Sequence, residues 1–107
     1  MSGDLNIDWI RERVRRKEYL ITWHADQERR DDDLDIADME EALLTGLIIE
    51  DYPEDKRGHS CLLYGRSANC DVHVVCGRNA SGWPVLITVY VPGPPKWITS
   101  TKRRPKS

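Results

Sequence analysis

Apolar and polar residues alternate along residues 72 to 91, a pattern that an extended chain uses because successive strand side chains point to opposite faces. If Arg78 pairs with Trp83 across the turn Asn79-Ala80-Ser81-Gly82, His73 falls opposite Thr88. One face of this ribbon then holds Val72, Val74, Cys76, Val85, Ile87, Val89 and Val91 and must be covered. The other carries Asp71, His73, Thr88 and Tyr90, groups able to exchange protons or hydrogen bonds.

Upstream the apolar period changes to that of helices. Asn6 is placed to cap a first helix to about Lys17, with Ile7, Ile10 and Val14 forming its stripe. Thr22 caps a second, shorter helix through about Arg30, and the run Asp31-Asp32-Asp33 breaks it by like-charge repulsion and turn preference. Asp35 caps a third helix whose stripe is Ile36, Met39 and Leu43, with Asp38 favourably set against the helix dipole. Gly46 is expected as its C′ residue. Strands follow: Leu47 to Glu50, stopped by Tyr52-Pro53; Ser60 to Arg66; Val72 to Arg78; and Val85 to Val91, stopped by Pro92-Gly93-Pro94-Pro95. Residues 53 to 59 form a polar connection. Helices first and strands afterwards predict an α+β domain, with two or three N-terminal helices packed on one face of a four-stranded, mainly antiparallel sheet. It is expected to occupy residues 1–98, with a basic flexible tail at 99–107.

The chain has 107 residues, enough for one core, and aliphatic residues must supply it because Phe is absent. No apolar run approaches the roughly 20 residues of a membrane helix, and Met1-Ser2-Gly3-Asp4 lacks a signal segment, so a cytoplasmic protein without membrane contact is expected. The net charge of −2 hides a division: residues 1 to 57 hold 9 Lys/Arg against 17 Asp/Glu, and residues 58 to 107 hold 7 against 1. The basic sheet half could attract an anionic polymer, or simply complement the acidic helices. Cys61, Cys70 and Cys76 are read as reduced thiols. The spacing Cys70-x-x-His73-x-x-Cys76 does not make a metal site, because strand alternation sends His73 to the face opposite both cysteines. No metal or other cofactor is called for.

Several blocks resemble a known bacterial family: Thr22-Trp23-His24-Ala25 followed by Arg29 or Arg30, Ile49-Glu50-Asp51-Tyr52-Pro53-Glu54-Asp55, Ser60-Cys61-Leu62, His73-Val74-Val75, and Ile87-Thr88-Val89-Tyr90-x-Pro92. Their order over about residues 20 to 92 is similar to the domain of unknown function 4258. That family is itself remotely similar to ribonuclease toxins of the BrnT and RelE type, whose fold is helices on a curved antiparallel sheet. The resemblance implies a metal-independent endoribonuclease of a toxin–antitoxin system, with RNA as substrate and an antitoxin-like protein as partner. The competing expectation is a non-catalytic module that binds protein or nucleic acid.

Within that reading His73 or His24 exchanges protons, Tyr90 and Thr88 hold the scissile phosphate, and a guanidinium among Arg29, Arg30, Arg57, Arg66 and Arg78 steadies its charge. The competing reading makes His73 a sheet-surface residue bonded to Thr88, and His24 a histidine packed against the sheet. Tyr64 and Trp97 are stacking candidates, whereas the register assigns Trp83 to the covered face. Asp51 ends its strand beside the polar connection and could orient a histidine or cap the turn.

Overall fold

The computed structural model describes residues 5–56, 58–67, 70–92, 97–99 and 102–103. Helix α1 (Ile7–Arg15) begins where the Asn6 carboxamide accepts the Trp9 N–H at 2.8 Å. Strand β1 (Leu20–Ile21) leads into α2 (Trp23–Asp31), capped by Thr22, whose hydroxyl accepts from the Ala25 N–H at 3.0 Å. Helix α3 (Ile36–Thr45) opens with a reciprocal capping box between Asp35 and Asp38. Four longer strands follow: β2 (Leu47–Tyr52), β3 (Ser60–Ser67), β4 (Cys70–Arg78) and β5 (Pro84–Tyr90). A separate two-stranded ribbon pairs β6 (Trp97–Thr99) with β7 (Lys102–Arg103), so Lys102 and Arg103 of the expected tail have a strand partner.

The main sheet has five strands in the order β1-β5-β4-β3-β2, one more than the expected four-stranded, mainly antiparallel sheet, and the extra strand makes it mixed. The added strand, β1, runs parallel to β5 through Leu20↔Val85 and Ile21↔Leu86. Two residues are too short to show a period of two, so this strand leaves no hydrophobic signature. Beyond it, α2 completes the edge of β5. Glu28 Oε1 accepts the Val89 N–H at 3.1 Å, and Asp32 Oδ2 accepts the Val91 N–H at 2.8 Å, satisfying donors that the short strand leaves open.

All three helices cover one face. Ile10, Val14, Ala25, Met39, Ala42 and Leu43 meet Cys61, Leu63, Val72, Val74, Cys76, Leu86 and Val89 in one buried core. Ile36, expected in the α3 stripe, is exposed. Gly46 ends α3 in an extended conformation (φ −84°), not the left-handed one expected of a C′ glycine. A glycine is needed there for space, because a Cβ would stand 2.6 Å from the Ala42 carbonyl oxygen and 2.7 Å from that of Tyr64. Gly65 is tighter still.

The β4–β5 register differs from the expected one in two steps. Asn79 to Trp83 close the turn, with the Asn79 carboxamide accepting the N–H groups of Ser81 and Trp83, so Arg78 pairs with Pro84. A bulge at Ile87 then shifts the pairing again: Cys76 faces Leu86, but Val75 faces Thr88 and His73 faces Tyr90. Leu86 and Val89 consequently enter the core, while Val85 and Ile87, expected in the covered row, are only half-buried. His73, Thr88 and Tyr90 still share the face away from the helices, but the direct neighbour of His73 is the tyrosine.

Two outcomes follow from this packing. In Gly65→Ala the new Cβ would lie 2.0 Å from the Ala42 carbonyl oxygen, which is rigid backbone, so urea unfolding should show a loss of about 3 kcal/mol or more. Glu40 receives bonds from Lys17 and Tyr19; partial burial opposes its ionisation, yet those bonds hold its carboxyl below the ordinary value of 4.5. A depressed carboxylate stabilises the fold above the unfolded value and loses that contribution as the pH falls through the folded one. Glu40→Gln should therefore cost about 1–2 kcal/mol at neutral pH. The difference from wild type should shrink progressively below pH 4.5 in paired denaturation curves.

Candidate functional site

The clearest chemical grouping lies where the β2–β3 connection returns to the sheet. Antiparallel pairing sets Asp51 against Cys61 and Tyr52 against Ser60, so the residue entering β3 arrives beside the end of β2. The loop is braced by Gly58 N–H donating to Asp55 O (2.9 Å) and by Ser60 Oγ donating to Asp55 Oδ2 (2.7 Å). Gly58 takes φ +108°, a conformation that side chains resist, and this turn delivers His59 to Asp51. The imidazole Nε2 lies 2.5 Å from Asp51 Oδ1. No other hydrogen bond holds the ring among the described residues, so Nδ1 is left for a ligand.

His59 lines a cleft of about 310 Å³ together with Thr22, Gly77, Arg78, Val85 and Ile87. A second depression of about 240 Å³ adjoins it, sharing Gly58, His59, Arg78 and Asn79. The Ile87 bulge shapes the wall: its carbonyl accepts the Thr22 hydroxyl at 3.2 Å. Arg78 is exposed at the end of β4 and makes no ion pair among the described residues. A carboxylate-held imidazole and an uncommitted guanidinium thus border the same space. Cys61 lies behind Asp51, but burial first and that carboxylate second push its thiol up to about 12, so it is neutral and unreactive near neutral pH.

The model of the family described as "Domain of unknown function (DUF4258)" matches residues 21–91. The chain belongs to this family. No curated protein and no solved structure matches it. The DUF4258 segment runs from the end of β1 to just past β5, so it contains α2, α3, strands β2 to β5 and every residue of the cleft.

The residues singled out from sequence are dispersed over this DUF4258 fold. His73, expected on an uncovered face, has 0% exposure. It sits between Tyr64 and Tyr90, whose rings meet it edge-on at centroid distances of 6.2 and 5.2 Å, and its Nδ1 lies 3.1 Å from the Tyr90 hydroxyl. Cross-strand pairing causes this, since Tyr64, His73 and Tyr90 occupy opposed positions on three adjacent strands. Thr88 stands two positions along, opposite Val75. The Tyr64 hydroxyl donates to Asp71 at 3.0 Å, and Asp71 also pairs with Arg66, so both of these expected ligand-binding residues are engaged with one carboxylate.

His24 is neither packed on the sheet nor beside His73. Its side chain is 67% exposed, with Nε2 3.3 Å from Glu28 one helical turn on. Arg29 is a brace: only 12% exposed, it bonds Asp26 at 2.7 Å and the Leu34 carbonyl at 2.9 Å. Arg30 shares Asp26 at 3.2 Å and is open to solvent. Both arginines thus pair with an aspartate earlier in their helix, not with Asp31 to Asp33. Arg57 lies outside the described residues, as does the side chain of Trp97. Among the described residues no group of three or more His, Cys, Asp or Glu could hold a metal ion.

Sequence reasoning named Asp51 and Arg78 but overlooked His59. The available signal was an acid closing one strand of a hairpin and a histidine opening the next. Loop length and the bulge between Ile48 and Glu50 hide the register that brings them together.

Because His73 is enclosed, His73→Ala should empty a buried site and lower unfolding free energy by about 2–4 kcal/mol. Urea denaturation of purified protein measures it, and an unchanged midpoint would mean that the ring is not packed as described.

Proposed function

We propose that this DUF4258 protein is a metal-independent endoribonuclease of the toxin–antitoxin type, remotely related to BrnT and RelE toxins, with its reacting phosphate held in the His59–Arg78 cleft. The observation that carries the reading is that His59, oriented through Nε2 by Asp51, borders one cleft with Arg78, which makes no ion pair among the described residues. An imidazole held by a carboxylate has one fixed nitrogen and one available nitrogen, the arrangement that general-base work needs. A guanidinium offers two parallel donors to phosphate oxygens. The helices on one sheet face agree with the layout that the toxin resemblance implies.

In this reaction His59 Nδ1 takes the proton of a ribose 2′-hydroxyl as that oxygen attacks the adjacent phosphorus. The bond from 2′-oxygen to phosphorus forms, the bond from phosphorus to the 5′-oxygen breaks, and the imidazolium returns its proton to the departing 5′-oxygen. Arg78 steadies the added charge on the phosphorane. The products are a 2′,3′-cyclic phosphate and a 5′-hydroxyl, and no atom enters from solvent. An antitoxin-like protein would silence the enzyme by covering the cleft, in the cytoplasm where its RNA lies.

Purified protein incubated with single-stranded RNA in excess chelator should yield those two ends. His59→Ala should lower the rate by about 10²- to 10⁴-fold, the usual contribution of one acid–base group, with unfolding midpoints compared to exclude a folding defect. Equal rates for wild type and variant would remove His59 from the mechanism. No cleavage by folded wild type, with RNA still bound, would leave the binding-module reading.

A further inference from the structure

Trp23 is the most exposed large apolar residue among the described ones, at 78%, although tryptophan is highly buried on average. Its backbone is nevertheless held firmly. Trp23 is the first residue of α2, directly after Thr22, and Thr22 is tied on three sides. The Thr22 N–H donates to Leu86 O at 3.0 Å, its hydroxyl donates to Ile87 O at 3.2 Å, and that hydroxyl accepts from Ala25 N at 3.0 Å. Thr22 is also part of the cleft wall that faces His59 and Arg78. An indole is therefore presented to solvent from a rigid anchor, one residue outside the candidate active site.

Exposing an indole forgoes the burial that so large an apolar side chain would gain. Trp23 has no share in the buried core. A base from an unpaired strand has the flat, polarisable face that such a ring accepts, and stacking tolerates every base. Thr22, the residue before Trp23, and Arg78 line the same cleft, so a strand with a phosphate at Arg78 runs beside the segment that carries the indole. Bases inside a duplex are already stacked on one another and cannot offer that face.

Resting on the nuclease reading for the position of the phosphate, we infer that Trp23 is a stacking platform and that the substrate class is single-stranded RNA, bound with one unpaired base on this indole. Trp23 is thus a specificity-determining residue outside the proton-transfer chemistry. It selects strand state and leaves base identity free.

The test uses a fluorescein-labelled 2′-O-methyl octaribonucleotide, which lacks the attacking hydroxyl and cannot be cut, so binding is read separately from cleavage. Anisotropy titration of the full chain should show Trp23→Ala binding it about 5- to 100-fold more weakly, the range that loss of one stacked base produces. Trp23→Phe should retain most of the affinity, and the same sequence as a duplex should bind wild type at least about 10-fold more weakly. Unchanged affinity in Trp23→Ala, equal affinity for duplex, or no binding by folded wild type would each overturn the platform. So would a change of oligomeric state in Trp23→Ala by light scattering with RNA affinity intact, which would make the indole a protein contact. Failure of the nuclease reading shows instead as uncut RNA with wild-type protein while the Trp23-dependent binding persists.

Discussion

The antiparallel ladder of β3 with β2 and β4 fixes where the polar side chains of the sheet meet. Pairing Asp51 with Cys61 and Tyr52 with Ser60 makes the chain enter β3 next to the end of β2, and His59 comes within 2.5 Å of Asp51. Pairing Tyr64 with His73 on the other side, and His73 with Tyr90 beyond it, builds the aromatic row. A one-residue slip would turn every side chain of a strand to the opposite face, carrying Cys61 and Leu63 out of the core. The hydrophobic layer therefore enforces the register, and the register assembles the polar groups. Burial at about 25 cal/mol per Å² of apolar surface is the driving term, and the polar contacts follow from it.

The two faces of the sheet divide the work. The face under the helices is closed by Gly65 and Gly46 against α3, with no space for an added methyl group. The other face carries the row of Tyr64, His73 and Tyr90, in which the histidine is fully buried with a tyrosine ring edge-on at either side. At the margin, where the β2–β3 loop, the end of β4 and the Ile87 bulge converge, a histidine and an arginine border an open cleft. Bulges commonly re-aim side chains beside functional sites; here the turn length sends Val85 out of the core row, the bulge takes up Ile87, and both line the cleft. Gly77 opposite Val85 adds no side chain to the cleft floor.

Local signals in the sequence located the helices well. Asn6, Thr22 and Asp35 cap α1, α2 and α3 as the pattern of polar residues before apolar stripes implies. The four long strands were legible from alternation. The β1 strand was not, because two residues carry no period, and the sheet gained a parallel edge as a result. The register of β4 with β5 was misread for a related reason: turn length and a bulge are each worth one residue, and hydrophobicity barely distinguishes Val85 or Ile87 from Leu86. Of the site, Arg78 and Asp51 were recognisable as residue types suited to phosphate and histidine. Their companion His59 was not, since it ends a polar loop and its meaning depends on long-range pairing. His73 stood out because it sits in a clean strand, yet that strand buries it.

Long-range ¹⁵N NMR of the histidine rings tests most directly whether Asp51 orients His59 for proton transfer. The account predicts that neutral His59 is held as the Nε2–H tautomer, with an unprotonated Nδ1, and that Asp51→Asn releases it towards the mixture of tautomers seen in a free imidazole. A wild-type His59 already in that mixture, or fixed with the proton on Nδ1, would contradict it.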